Sequence, residues 1–204
     1  MPPDPPFESG APYWYWLGGR PALDFVNSRR ERWRRGVDCL VSDDDVIGWL
    51  AAAGLLVASG PMPRGLLDEA RELREAIDAC VRGVVAQAPM RRADVRMIDA
   101  WLVLAGTRPA LSVMADGQPR IGERPATDAA RRALALIALD AARMLGDPRE
   151  RARVRICASD TCSARFFDRS PAARRRWCSM AQCGNAAKAR RHRARISTAP
   201  EAIA

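Results

Sequence analysis

Residues 157–183 read CASDTCSARFFDRSPAARRRWCSMAQC, so the cysteines fall as Cys157-x4-Cys162-x15-Cys178-x4-Cys183. Two close pairs joined by a longer spacer suit one tetrahedral metal. Each turn bends two sulfurs toward a common point, and the spacer lets the second turn face the first. Four thiolates leave no open coordination position, so the site is structural, and one zinc ion is its ordinary occupant. The competing arrangements are two disulfides or four unconnected core thiols. Disulfides belong to secreted domains, and Met1-Pro2-Pro3-Asp4-Pro5-Pro6 has neither the basic start nor the apolar core of a secretory leader.

The flanks say what the metal organises. Arg153-Val154-Arg155-Ile156 alternates as a half-buried strand does. Arg165-Phe166-Phe167-Asp168 reads as the returning strand, which puts the first cysteine pair on the hairpin turn. From Gly184 to Arg195 the chain is rich in strong helix formers, so the second pair lies at the first turn of a helix. Hairpin plus helix around one metal is a small treble-clef-like finger. A stretch this short buries little core of its own, and metal binding supplies its folding energy.

Charge adds a function. Between Arg149 and Arg195 stand 14 basic and 3 acidic residues, a net of +11, while the whole chain carries +9. The remainder sums to −2, so the excess positive charge sits in the finger. A basic stripe on a small metal-held helix is the footprint of a nucleic-acid binder. On the expected helix Asn185, Lys188, His192 and Arg195 share one face, with Arg191 beside it and Arg190 and Arg193 farther round. Arg174, Arg175 and Arg176, just before Cys178, form a second cluster suited to phosphates. Arg matches phosphate and guanine edges and Asn matches adenine, which allows direct reading of duplex DNA. The alternatives are a solvated face, RNA, or an interaction module docking on an acidic protein partner.

These residues resemble the CGNR zinc finger family, through the cysteine spacing, Cys183-Gly184-Asn185 and the basic run from Lys188 to Arg195. The resemblance implies the DNA-binding end of a bacterial transcription regulator. One departure stands out: the Arg that follows Gly-Asn in the family is Ala186 here. Upstream, Leu23-Asp24-Phe25-Val26-Asn27 resembles the ABATE domain that accompanies such fingers. That resemblance implies a sensing domain with a small-molecule ligand. Asp24 and Asn27, three apart, either bind that ligand or satisfy local backbone groups and hold a loop.

At 204 residues and 48% hydrophobic content, the chain has room for one medium domain and a small one. Residues 1–12 are Pro-rich and expected to be mobile. Tyr13-Trp14-Tyr15-Trp16 is an aromatic cluster suited to burial against the domain that follows. Ser42 with Asp45 caps a helix ending near Ala53 and Gly54, and 58–63 reads as a loop. Leu66, Ala70, Leu73, Ile77, Cys80 and Val84 make a buried stripe on a long helix over 64–88. A further helix over 92–105 turns Val95, Ile98, Trp101, Leu102 and Ala105 inward. Asp116-Gly117 marks a hairpin turn between 110–114 and 118–122. Thr127-Asp128 opens a last long helix with Ala130, Leu134, Ile137, Ala141 and Met144 on one face, closed by Gly146 and Pro148.

The fold class is therefore α+β: a mostly helical domain over 13–148 with a small β-hairpin, then the finger over 149–197 and a tail over 198–204. The apolar run Val46–Ala58 is too short to span a bilayer. No membrane role and a reducing, cytoplasmic location follow as expectations. Catalysis finds no support: a four-thiolate site activates no water, His192 lies among cations that suppress a general base, and no phosphate loop or nucleophile motif appears. The expected function is a DNA-binding transcription regulator whose N-terminal domain senses a small ligand or forms a homodimer.

Overall fold

Alanine spacing determines how closely the helices approach. In the computed structural model, which describes residues 14–57 and 63–197, α5 (Ala129–Gly146) buries Ala130, Ala133, Ala135, Ala138 and Ala141 beside Leu134, Ile137 and Met144. Short side chains on so much of its surface let α5 pack against the four helices that precede it. These are α1 (Pro21–Val26), α2 (Asp43–Ala52), α3 (Leu66–Val85) and α4 (Arg92–Leu102). The expected stripe of α3 is buried from Leu66 to Cys80, with Val84 half-buried at its end.

The ends of these helices follow their capping. Ser42 accepts a hydrogen bond from the Asp45 amide at 3.1 Å and starts α2 as its sequence predicts. Asp43 caps a different helix: its carboxylate accepts from Gly65 N–H at 3.1 Å and Leu67 N–H at 2.7 Å. That borrowed cap starts α3 at Leu66 rather than Arg64. Gln87, with φ of 52°, lies past its other end. Helix α4 stops at Leu102, where Leu104 and Ala105 turn back through shorter bonds to Trp101 and Leu102. Val95 was expected inward; it is exposed, because Ile98 and Trp101 take the core side and Asp94 takes the next position toward it.

Three small antiparallel pairs complete the fold. β1 (Arg29–Arg30) and β2 (Val37–Asp38) form a short hairpin after α1. β3 (Thr107–Val113) and β4 (Pro119–Pro125) pair along their full length, Leu111 opposite Ile121, and are longer than the sequence suggests. Their turn contains Asp116-Gly117 as predicted, with Gly117 at φ 75°. β5 (Val154–Ile156) and β6 (Arg165–Phe167) form the hairpin of the finger. Between α5 and β5, where a domain boundary was expected, α6 (Pro148–Arg151) makes a single turn capped by Asp147. Arg20 bridges Asp140 and Glu150 across this junction.

The aromatic cluster is buried only in part over its described residues. Trp14 packs on the core, whereas Trp16 is 46% exposed and leans on Trp49 in a tilted pair at 5.4 Å between centroids. Tyr13, the segment 1–12, most of the loop at 58–63 and the tail 198–204 lie outside the described residues.

Candidate metal centre and basic surface

The hairpin β5–β6 is a wall with two faces, and its pleat follows from the register. Val154 and Phe167 join the helical core, and Ile156 packs against it. On the opposite face Phe166 joins a separate cluster with Cys157 and Cys178, against which Leu17, Ala164 and Trp177 pack. Arg165 faces the helical body, 1% exposed, and its Nε donates to Asp78 at 2.6 Å. The finger is thus seated on the helices by half of its own hairpin.

Four sulfurs converge on the other half. The Sγ atoms of Cys157, Cys162, Cys178 and Cys183 all lie within 4.8 Å of one another. Cys162 and Cys183 are 3.8 and 3.7 Å from Cys178. A disulfide needs about 2.05 Å, so the spacing excludes that reading. Sulfurs held about 2.3 Å from a central zinc stand about 3.8 Å apart on a tetrahedron, which these distances match. Bonding from Cys162 and Cys178 pulls the Cys157 thiol down, while bonding to Cys157 and then Cys162 pushes Cys178 up. A divalent metal would stabilise all four as thiolates. The site takes one structural zinc, which these cysteines would hold. The Ala164 amide points at Cys162 Sγ at 3.4 Å and supports a thiolate there.

The second cysteine pair enters its helix through a wider turn. Met180–Gly184 is a π-helical turn, opened by Ser179, whose Oγ accepts from Gln182 N–H. It runs into α7 (Asn185–Ser197). Gly184 is buried, and a Cβ there would meet Met180 Sδ at 2.8 Å. The flexible end of Met180, itself 48% exposed, would have to move to admit one. The two knuckles are stitched together by Ala158 N–H to Arg176 O at 2.8 Å and by Arg190, which pairs with Asp160 at 2.7 Å.

These contacts sort the basic residues singled out by sequence. Asn185, Lys188 and Arg193 are exposed on α7, as is Arg174 before the second knuckle. Arg190 is half-buried and turned to the first knuckle, Asp160 and Ser159, rather than outward. Arg175 keeps an exposed position, yet its guanidinium donates to Cys178 O at 2.6 Å and sits over the Phe166 ring. Arg176 lies over Trp177. Ala186, where the family's arginine is missing, is exposed on the first turn of α7. Arg191, His192 and Arg195 lie on α7, but their side chains are outside what the structure describes.

Asp24 and Asn27 do not share a site. The Asp24 carboxylate accepts from Gly18 N–H at 2.6 Å, and burial pushes its pKa up to about 6. Asn27 is 6% exposed and clasps one residue of the finger: Nδ2 donates to Arg165 O and Oδ1 accepts from Arg165 N–H, both at 2.8 Å. Gly18 completes the joint by accepting from Phe167 N–H at 2.8 Å; a Cβ on Gly18 would meet the Asp24 nitrogen at 2.6 Å. Both polar residues hold backbone. A cleft of about 280 Å³ opens beside Asn27 and Arg29, and its lining includes the metal-site cysteines Cys162, Cys178 and Cys183, so part of it is the metal centre itself.

Residues 153–196 match the family model of the CGNR zinc finger, and residues 19–148 match that of ABATE, described as "Putative stress-induced transcription regulator". The second match covers more than half of the chain. The chain belongs to the ABATE family. No curated protein matches it. In this ABATE protein the two matched segments meet through Asn27, Arg165 and Asp78. The ABATE description names a transcription regulator, neither matched family is an enzyme family, and the pairing with a zinc finger is compatible with a regulatory, nucleic-acid-binding role. Among the described residues no helix is long and apolar enough to cross a membrane.

One feature near the finger escaped the sequence reading. Arg29-Arg30-Glu31-Arg32-Trp33-Arg34-Arg35 holds five arginines and one glutamate, a net of +4 hidden inside a remainder of −2. A charge count over short windows would have found it. Trp33 Nε1 donates to Asp160 O at 3.4 Å, which places this loop against the first knuckle.

Proposed function

We propose that this protein is a DNA-binding transcription regulator whose finger grips duplex DNA through α7. The observation that carries this reading is the outward presentation of Asn185, Lys188 and Arg193 on a helix whose start is fixed by two of the four clustered cysteines. Arg174 extends the basic surface from the second knuckle. Lysine and arginine contacts to phosphate would supply most of the affinity, and Asn185 stands where it can meet a base edge. One small module reads few bases, so two copies of the chain would read two half-sites. A small ligand in the cleft beside Asn27 and Arg29 would touch both the N-terminal domain and the finger, and so alter how the finger is held.

The test is the variant Lys188→Ala, measured for duplex affinity by fluorescence anisotropy across a salt series. Loss of one phosphate contact lowers the slope of log affinity against log salt by about 1. An unchanged slope removes α7 from the interface. Wild-type protein that ignores duplex DNA at low salt, yet captures an acidic protein, would replace this reading with a protein-interaction module.

A further inference from the structure

The loop between β1 and β2 is built to hold some of its arginines and to present others. Arg32 is drawn inward: its guanidinium donates to Glu75 at 2.6 Å and to Val26 O at 3.1 Å, and lies 3.4 Å from Asp78. Arg30 is buried, with its guanidinium over the Tyr15 ring. The backbone then turns sharply. Glu31 has φ of 46° and its carbonyl accepts from Arg34 and Gly36 N–H at 2.8 and 2.9 Å, while Gly36 has φ of 64°. Left-handed backbone at both ends makes the turn a fixed tip. What the tip offers to solvent is Trp33, 48% exposed, with Arg34 and Arg35.

Its position matters as much as its composition. Trp33 Nε1 donates to the Asp160 carbonyl, and Arg190 of α7 pairs with the Asp160 carboxylate. The tip and α7 therefore brace one residue of the first knuckle and stand side by side. Arg35 is paired with Glu31, and Arg34 makes no ion pair with a described residue. Outside this loop and the finger, the rest of the chain sums to −6. The one additional concentration of positive charge has been folded against the finger.

We infer that Trp33, Arg34 and Arg35 form a second DNA contact, which holds the phosphate backbone next to the segment held by α7. This inference rests on the duplex-binding reading of the finger. Arg34 and Arg35 meet phosphate oxygens, and the Trp33 ring packs on a deoxyribose. Anchoring by Arg32 and Arg30 removes much of the ordering cost that a floppy basic loop would bear on binding. The footprint of one chain thus has two parts, one from each family segment.

The experiment compares zinc-loaded full-length wild type with Arg34→Gln/Arg35→Gln and with a control, Arg92→Gln/Arg96→Gln, which alters exposed arginines of α4. Duplex binding is followed across a salt series, with zinc content and thermal unfolding checked for each protein. The tip variant is expected to lower the salt slope by about 2 and to weaken binding on the order of 50-fold at 0.1 M salt. The control keeps the wild-type slope. Hydroxyl-radical footprinting should show one protected backbone segment lost in the tip variant. A tip variant that binds like wild type, alongside a Lys188→Ala protein with a reduced slope, overturns the second contact and leaves the α7 interface standing. A wild type without salt-sensitive duplex binding overturns both.

Discussion

The helical body and the finger are held by different physics. The body buries Leu23, Phe25, Trp49, Leu73, Ile77, Leu134 and Ile137 almost completely, and apolar burial of that extent is worth about 25 cal/mol per Å². The metal-side cluster of the finger has Phe166 and two cysteines at its centre, far too little to fold by burial. It relies on metal–thiolate bonds on one face of β5–β6; on the other, Val154, Ile156 and Phe167 join the core of the body beside the polar lock of Asn27, Arg165 and Asp78. Electrostatic and coordinative interactions are directional, so the finger is positioned more sharply than its small core would allow. They also depend on conditions, in metal supply, salt and pH, to which the body is less sensitive.

The largest effect expected is that of the metal. Chelation should cost the finger on the order of 10 kcal/mol of folding energy, and Cys183→Ser, which leaves three of the four thiolates, a part of that. Hydrogen exchange would show α7 and both knuckles losing protection while α5 keeps its own. A finger that stays protected without metal would erase the contrast between the two regions.

Next comes the lock. Arg165→Ala leaves the buried Asp78 carboxylate with Arg32 and Arg82 at 3.4 and 3.1 Å. Breaking such a buried pair costs about 3 kcal/mol, measurable by urea unfolding of the zinc-loaded protein, with zinc stoichiometry unchanged. A cost near zero would mean that the apolar face of the hairpin and the Asn27 clasp seat the finger without the Arg165–Asp78 pair.

Asp24 sharpens the comparison from the side of the body. Burial raises its pKa to about 6 in the fold against an ordinary 3.8. Between those values the native state binds more protons than the unfolded chain, so stability falls as pH rises through that window. Asp24→Asn keeps an acceptor for Gly18 and removes the buried charge. It should stabilise the protein by about 2 kcal/mol at pH 7.5, after allowance for partial solvation, and the gain should shrink on acidification toward pH 5. Thermal melts at those pH values test the sign. The smallest change is Ala186→Arg. An added surface cation at the start of α7 should raise duplex affinity several-fold and the salt slope by about 1, without altering zinc content.

What the sequence revealed follows the same division. Stripes of period 3.6 located α3, α4 and α5 because burial against neighbours governs those residues, and the Ser42 cap located α2. Four cysteines at fixed spacings announced the metal centre, since the chemistry requires that residue type at those positions. Long-range polar contacts were illegible. Nothing in Asp43 says that it caps a helix more than twenty residues away. Asn27 looked equally suited to a ligand or a loop until its clasp on Arg165 was seen. Arg190 and Arg193 looked alike on a helical wheel, and Asp160 separates them. The loop at Arg29–Arg35 was overlooked because its charge was averaged into an acidic remainder.

The central claim is that a metal-held finger presents α7 to duplex DNA. The direct measurement is fluorescence anisotropy of a labelled duplex with the full chain, zinc-loaded and chelated, from low to moderate salt. The account predicts tight binding at low salt that weakens steeply as salt rises and disappears on chelation. Duplex binding that survives removal of the metal, or no binding by the zinc-loaded protein at low salt, would contradict it.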